Sequence, residues 1–369
     1  MGVGQDEHAK ELQLKLMKTI QDHGHQGRWR EALREIETAE RTAVPLNVFI
    51  YGAAITAMAR SARWVEGCRL LEDMLLAGLK PNLITYNAAL SGCAKCGRWE
   101  EVRKVTIVLA PIEKGIVQPR QFCLFIIVSL QALDLLQRME TGGVLPDARS
   151  YSAVIDACSK SGRWEQATAL LLEMKAQNVK PDVFAYASAI NACARVGQAQ
   201  AAVDLLRHMQ TKGGVMPNEV CYNSALNACA KGSAWQEAVA LLDEMKARGL
   251  QPNERSYNAV MDACRSAEDG TTALQQLQRM TDKGIPPTLR SYTAAIDACG
   301  RGAPKLWVKG MQLFEELKGS SIKLDVIIYS TAIDACARHS KWRRAVQLLA
   351  EMREAGLTPD MRCYACCIK

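Results

Sequence analysis

The chain has 369 residues, and its fourteen cysteines are the side chains that could do the most varied chemistry. A cysteine repeated at one apolar helical position is a small buried hydrophobe. Two C-x-x-C pairs, Cys93/Cys96 and Cys363/Cys366, lack a second Cys or His pair at zinc-finger spacing, so we expect no metal site. We expect free thiols, as in a reducing compartment. The repeated cysteines stand seven positions after a recurring tyrosine: Cys93, Cys158, Cys193, Cys229, Cys264, Cys299 and Cys336.

The five histidines do not join a catalytic constellation. None lies in an H-x-E motif followed by P-C-x-x-C, the signature of zinc deaminases. The chain has no G-x-x-x-x-G-K-S/T phosphate loop and no G-x-S-x-G nucleophile elbow. The sequence therefore predicts no enzymatic activity, no cofactor and no small-molecule substrate for this chain.

Polar and basic residues also keep fixed distances from the repeated tyrosine. The position after the tyrosine holds a short hydrogen-bonding side chain at Asn87, Ser152, Asn223, Asn258, Thr293 and Ser330. The ninth position holds a cation at Arg60, Lys95, Lys160, Arg195, Lys231, Arg301 and Arg338. Positions one, five and nine are four residues apart, so they share one face of a helix.

Each repeat must form two helices to present these side chains. Tyr151, Val154, Ile155 and Cys158 follow the i, i+3, i+4, i+7 pattern of one helical face. A second helix begins near a tryptophan that we expect in the core, and it ends before a proline. Neither helix can bury its apolar stripe alone, so the units must stack. The prediction is an all-α fold, a right-handed superhelical α-solenoid.

The period of about 35 residues divides the chain. Residues 1–12 are an N-terminal extension, and 13–47 form a degenerate first unit. Residues 48–360 form nine units, of which the 121–147 unit is shortened because one tyrosine interval is 65 residues. Residues 361–369 begin a further, truncated unit.

The composition fits a folded domain. Hydrophobic residues make up 49% and charged residues 23% of the chain, which argues against disorder and against a membrane protein. The longest apolar stretch, Phe122 to Val128, is too short to span a bilayer. The net charge of +7 is compatible with a polyanionic partner.

The repeat resembles the pentatricopeptide repeat family over about residues 13 to 369. The resemblance rests on Tyr-Asn near the start of a unit, Gly-Arg-Trp at its turn, Glu-Met in its second helix and Gly-Leu-x-Pro-Asn/Asp at its end. Examples are Thr85-Tyr86-Asn87 and Gly249-Leu250-Gln251-Pro252-Asn253. The family implies binding of single-stranded RNA, one base per repeat. It also implies a mitochondrion or plastid and RNA-processing protein partners, although no transit peptide is visible.

The resemblance implies roles for three positions in each unit. Bases are read by the residue after the tyrosine, named above, and by the last residue of the unit: Asp182, Asn218, Asn253, Thr288, Asp325 and Asp360. Bases are sandwiched by the residue two before the tyrosine: Phe49, Ile84, Phe184, Val220 and Ile327. Arg149, Arg255 and Arg290 depart from that apolar pattern, and Asn87 is paired with an atypical last residue, Arg120.

The polar ladder beside the cationic ladder suits bases on one side and phosphates on the other. The alternative for the cations is that they only offset helix macrodipoles. In the family, Thr or Ser after the tyrosine goes with purines and Asn with pyrimidines, while a final Asp goes with G or U and a final Asn with A or C. The implied core is near 5′-GNYYGG-3′. A scaffold for protein–protein interaction is the alternative function, because helical solenoids also bind peptides.

Overall fold

The computed structural model describes residues 3–42, 44–95, 121–211, 213–320 and 322–368, which contain nineteen helices and no strand. The helices are α1 (Val3–His25), α2 (Trp29–Arg41), α3 (Val48–Arg60), α4 (Trp64–Leu76), α5 (Leu83–Lys95), α6 (Gln121–Thr141), α7 (Ala148–Lys160), α8 (Trp164–Ala176), α9 (Val183–Val196), α10 (Ala199–Thr211), α11 (Glu219–Lys231), α12 (Trp235–Ala247), α13 (Glu254–Ser266), α14 (Gly270–Asp282), α15 (Leu289–Arg301), α16 (Pro304–Lys318), α17 (Val326–Arg338), α18 (Trp342–Glu354) and α19 (Met361–Ile368). No helix of this part of the chain is both long and apolar enough to cross a membrane.

The chain divides into two compact units, Met1–Ala192 and Cys193–Lys369. In the first unit, α3 packs against α1 and α5, and α5 packs against α7. In the second unit, α13 packs against α11 and α15, and α15 packs against α17. First helices thus contact the first helices of adjacent repeats, while each also contacts its own second helix. The predicted all-α helical-repeat solenoid is confirmed.

The repeated cysteines, tyrosines and methionines form the core. Cys158, Cys229 and Cys299 have no exposed surface, and neither have Met174, Met245 and the other repeated methionines. The tyrosines Tyr151, Tyr186, Tyr222 and Tyr257 are among the largest fully buried side chains. The prediction that the repeated cysteines are core residues is therefore confirmed for all seven of them: Cys93, Cys158, Cys193, Cys229, Cys264, Cys299 and Cys336.

Burial also controls the chemistry of these thiols. It raises the pKa of Cys158 to about 11 and that of Cys264 to about 12. An unfolded thiol has a pKa of about 8.5, so the folded chain holds its thiol protons more tightly than the unfolded chain. Stability is then full below about pH 8.5 and falls as pH rises toward 11 to 12. We expect denaturant midpoints to drop between pH 8 and pH 10, and a thiol reagent to label these cysteines only on unfolding. Equal midpoints would contradict this.

The tryptophans lie nearer the surface than the sequence pattern suggested. Trp64 is 4% exposed, but Trp342 is 60% exposed. The Arg63 Cζ atom lies 4.0 Å from the centroid of the Trp29 ring, and Lys341 Nζ lies 5.9 Å from the centroid of the Trp307 ring. The cation before the tryptophan of one repeat therefore stacks on the tryptophan of the repeat before it. Trp99 lies outside the described residues.

A hydrogen bond ties the repeated tyrosine to the glutamate of the Glu-Met pair. The Tyr222 hydroxyl donates to Glu244 Oε1 at 2.9 Å, and the Tyr151 hydroxyl donates to Glu173 Oε1 at 3.2 Å. These glutamates are therefore more than surface acids. In the repeat of Tyr257, Arg279 stands in the sequence where the glutamate would be, and the buried Tyr257 hydroxyl has no hydrogen-bond partner.

This difference gives a matched pair of substitutions. Tyr222→Phe removes a hydrogen bond to a carboxylate and should lower the free energy of unfolding by about 1.5 to 3 kcal/mol. Tyr257→Phe removes a buried hydroxyl without a partner and should be neutral or slightly stabilising. Urea unfolding of the two variants measures both values. Equal losses would contradict a stabilising contribution from the Tyr222–Glu244 hydrogen bond.

The long tyrosine interval includes residues of two described helices, α5 and α6, which contact each other. α5 packs against both α6 and α7, which is how a first helix contacts its own second helix and the next first helix. The Tyr151 hydroxyl also donates to Glu140 Oε1 of α6 at 3.4 Å, as Gln210 of α10 contacts Tyr222. The sequence analysis placed these helices in two units, 83–120 and 121–147, but α5 and α6 contact each other as the two helices of one repeat do. Cys96 and Arg120 lie outside the described residues.

Candidate nucleic-acid interface

Large apolar side chains are exposed at the second residue of five of the first helices. The exposed fraction is 69% for Phe49, 67% for Ile84 and 56% for Phe184. In the second compact unit it is 59% for Val220 and 64% for Ile327. Helices bury their apolar residues unless a partner covers them, so a regular exposed series indicates a binding surface. All five of these residues are the predicted base-sandwiching residues.

The last residue of each repeat is the N-cap of the next first helix. Asp182 Oδ1 accepts from the Ala185 backbone N–H at 2.8 Å, and Asn218 Oδ1 accepts from that of Cys221 at 3.1 Å. The same bond is made by Asn82, Asp147, Asn253, Asp325 and Asp360. A short side chain that caps in this way satisfies an otherwise unpaired helical N–H group. The cap also fixes which atom of the side chain is left to bind a ligand.

The remaining atom differs between asparagine and aspartate. With Oδ1 held by the backbone, an asparagine presents its NH₂ group, which only donates. An aspartate presents its second carboxylate oxygen, which only accepts. Hydrogen bonds from Ser150 and Asn87 outweigh the effect of burial and lower the pKa of Asp147, so this cap stays ionised. The N-caps therefore offer a donor or an acceptor according to residue type.

Serine before the repeated tyrosine orients the first reading residue. The Ser256 hydroxyl donates to Asn223 Oδ1 at 2.7 Å, and the Ser150 hydroxyl donates to Asn87 Oδ1 at 2.6 Å. Both serines are buried, so these bonds hold each amide in one orientation. Sequence reasoning did not single out these serines, although Ser stands just before the tyrosine in several units.

Asn87 and Asp147 are brought together although 60 residues separate them. The Asn87 NH₂ group donates to Asp147 Oδ1 at 3.1 Å, so a residue at the first predicted reading position contacts one at the second. This contact follows from the packing of α5 against α7. Sequence reasoning assigned Asn87 to Arg120 and did not include Asp147 among the site residues.

The other first-position residues differ in how available they are. Ser152 is 7% exposed, and its hydroxyl has no hydrogen-bond partner, which is unusual for a buried polar group. The Thr293 hydroxyl donates to the Leu289 carbonyl at 2.7 Å, and Ser330 is half-buried. Asn258 is 4% exposed and is bonded on both sides of its amide. The structure therefore leaves the buried Ser152 hydroxyl without a hydrogen-bond partner and engages the Asn258 amide on both sides.

The ladder of cations has two contrasting parts. Arg301 Nε lies 2.9 Å from Asp297 Oδ1, and Arg338 Nε lies 2.9 Å from Asp334 Oδ2. Asp156 likewise lies 3.0 Å from Lys160. The residue four before the cation is uncharged in the other repeats, where Thr56, Ser91, Asn191 and Asn227 precede Arg60, Lys95, Arg195 and Lys231. At Arg60, Lys95 and Lys231, phosphate attraction should therefore not be offset by an acid four residues earlier.

The lysines of this ladder also contact helix ends. Lys231 Nζ donates to the Arg195 carbonyl at 3.2 Å, and Lys160 Nζ donates to the Ala94 carbonyl. Both carbonyls lie at the C-terminal end of the preceding first helix, where a cation is favourable. Helix capping thus accounts for part of their role, as the alternative interpretation proposed. An ammonium group has three donors, so a lysine in this position can still bind a phosphate.

Two family descriptions match the chain. Residues 185–303 match the pentacotripeptide-repeat region of PRORP. Residues 46–95, 149–195 and 324–369 match the PPR repeat family. Together the matched segments span about two thirds of the chain. No curated protein matches it.

Several solved structures are similar at low identity. The pentatricopeptide repeat protein PPR10 in complex with an 18-nt psaJ RNA element is 19% identical, with 97% of this chain and 58% of that chain covered and a TM-score of 0.45. This chain therefore spans 58% of the length of PPR10. The PPR domain of Arabidopsis thaliana protein-only RNase P 1 in complex with tRNA is 15% identical, with 57% of this chain and 94% of that chain covered and a TM-score of 0.43.

The repeated sequence, the stacked helical hairpins and the matches to the family descriptions agree. Matched segments begin within two residues of the start of a first helix, as at α3, α7 and α17, and they end within or just after first helices. The chain belongs to the pentatricopeptide repeat family.

Proposed function

We propose that this protein binds single-stranded RNA and reads one base per repeat. The observation that carries the proposal is the exposed apolar series at the second residue of the first helices. Each such residue stands beside a capping residue that presents a donor or an acceptor, and the cationic ladder lies further along the same helices. Flat apolar surface, hydrogen-bonding groups and cations are what an unstacked base and its phosphate require.

The helix caps supply a physical basis for the base preferences. An aspartate cap presents an acceptor, which suits the imino N–H of G or U. An asparagine cap presents a donor, which suits A or C. Together with the first reading residue, the pairs Ser152/Asp182, Thr293/Asp325 and Ser330/Asp360 favour G, and Asn223/Asn253 favours C. The newly recognised pair Asn87/Asp147 favours U.

These pairs, taken in chain order, give a target core near 5′-GNYYGG-3′, preceded by U. Ala187 cannot make the first contact, which leaves one unselected base. The mechanism is occupancy: the bound segment is withheld from nucleases and from pairing with other RNA. A role in organellar RNA processing, stabilisation, editing or translation, in a mitochondrion or plastid and with RNA-processing protein partners, is part of this proposal.

A single substitution tests the reading of one base. Thr293→Asn should change the preference at its position from G toward a pyrimidine, by about tenfold in the ratio of dissociation constants, or about 1.4 kcal/mol. Filter binding of two RNAs that differ only at that base measures the ratio. Thr168→Asn is the matched control, since its hydroxyl makes the same bond to a carbonyl four residues back, on a second helix. Unchanged selectivity in T293N would reject this assignment.

A further inference from the structure

A carboxylate occupies the reading groups of the repeat at residues 254–288. Glu254 Oε1 accepts a hydrogen bond from Asn258 Nδ2 at 3.2 Å and another from Thr288 Oγ1 at 2.9 Å. Asn258 and Thr288 are the two residues of that repeat that would read a base. One glutamate therefore holds the donor of each.

The rest of the Asn258 amide is also engaged. Its Oδ1 accepts from the Ser291 hydroxyl at 2.7 Å, and the side chain is 4% exposed. Asn87 is bonded on both sides too, but there the donor goes to Asp147, which is the other member of its reading pair. Among the described residues at the position after the tyrosine, Asn258 alone gives its amide donor to a residue outside the pair.

Glutamate at this place departs from the repeat. The first residue of the described first helices from α3 onward is apolar except in α11 and α13, where it is Glu219 and Glu254. A glutamate there also favours a helix N-terminus through the macrodipole. That effect requires no bond to Asn258 or Thr288. Glu219 makes a related but partial contact, because it accepts only from the capping residue Asn253.

The stacking surfaces of this repeat are unusual as well. Arg255 and Arg290 stand where other repeats expose an aliphatic or aromatic side chain. Arg290 lies 2.9 Å from Asp262, so its charge is compensated within the protein. Glu219, Glu254 and Asp262 line one groove with these arginines. A base entering the groove therefore meets carboxylates beside the arginines.

We propose that Glu254 makes the repeat at residues 254–288 a non-selective position within the RNA-binding array. RNA passes this position without its base being read, because Glu254 holds the donors of both reading residues. The inference rests on the proposed function. It changes the expected core, since the second pyrimidine of 5′-GNYYGG-3′ becomes an unselected base between selected neighbours.

The test is selection from a randomised single-stranded RNA pool with the full chain and with Glu254→Ala. The wild-type protein should enrich G at the Thr293 position and no base at the adjacent Asn258 position. E254A should enrich a pyrimidine there by about tenfold, because each freed hydrogen-bonding pair supports discrimination of that order. Glu165→Ala is the control: Glu165 is also in the first turn of a helix, is exposed and lies on a second helix.

Three results would overturn the inference. One is wild-type selection of a pyrimidine at the Asn258 position as strong as the selection of its neighbours. Another is an E254A profile identical to that of E165A. The third is a Glu254→Leu protein that gains no selectivity at the Asn258 position. This variant places in α13 the residue that begins α5 and α15, and it replaces E254A where E254A does not fold. Failure of the wild type to retain any RNA would instead reject the proposed function, and this inference with it.

Discussion

Replacing Lys95 and Lys231 together by alanine should weaken RNA binding about 10- to 30-fold at 0.1 M salt. Each phosphate contact on a single strand contributes about −0.7 to the slope of log K against log salt concentration, so the slope should become shallower by about 1.4. The residues four before these lysines are Ser91 and Asn227, which carry no charge to offset them. Binding titrations from 50 to 300 mM salt measure both quantities.

The matched control removes an ion pair. Arg301 and Asp297 lie 2.9 Å apart, so replacing both by alanine leaves the net charge unchanged. If Asp297 neutralises the charge of Arg301, this double variant should bind RNA within about threefold of the wild type, with an unaltered salt slope. A loss as large as that of the lysine variant would mean that Arg301 contacts phosphate despite Asp297.

Gly300→Ala should destabilise the second compact unit by about 1 to 3 kcal/mol through overpacking. A Cβ atom at Gly300 would lie 2.5 Å from Ala335 Cβ and 3.1 Å from Ala335 Cα. Because part of this obstacle is backbone, α15 and α17 must move apart. Urea unfolding followed by circular dichroism gives the change in free energy.

Gly67→Ala is the opposite case. Its Cβ would lie 3.6 Å from Met58 Cβ, which is an ordinary van der Waals contact, inside helix α4. Alanine is favoured over glycine in a helix interior by about 0.8 to 1 kcal/mol, so this variant should gain stability. The same sign of change for G300A and G67A would contradict the account of the close contact between α15 and α17.

Periodicity predicted most of this structure because each position of the repeat occurs in several units of the sequence. The buried tyrosine, cysteine and methionine positions, the helical hairpins and the exposed series at Phe49 and its equivalents all follow from one 35-residue pattern. Each helix buries only a stripe, so the faces could be assigned from spacing alone. The reading residues, in contrast, were assigned from the resemblance to the pentatricopeptide repeat family and belong to the proposed function.

The features that the sequence left open depend on contacts between repeats. Spacing could not show that Asn87 meets Asp147, because the long interval was divided into two units. Nor could it show that Asp297 compensates Arg301, although the four-residue separation was visible. The bonds from Glu254 to Asn258 and Thr288 involve residues of two successive first helices, and only their packing places these groups together.

The most direct test of the central claim is retention of a randomised single-stranded RNA pool by the purified protein at two salt concentrations. The account predicts strong retention at low salt, a steep loss at higher salt and an enriched core with G where Ser152, Thr293 and Ser330 stand. Binding of RNA with no enriched core would contradict base reading. No retention at low salt would contradict RNA binding and would favour the protein-scaffold alternative.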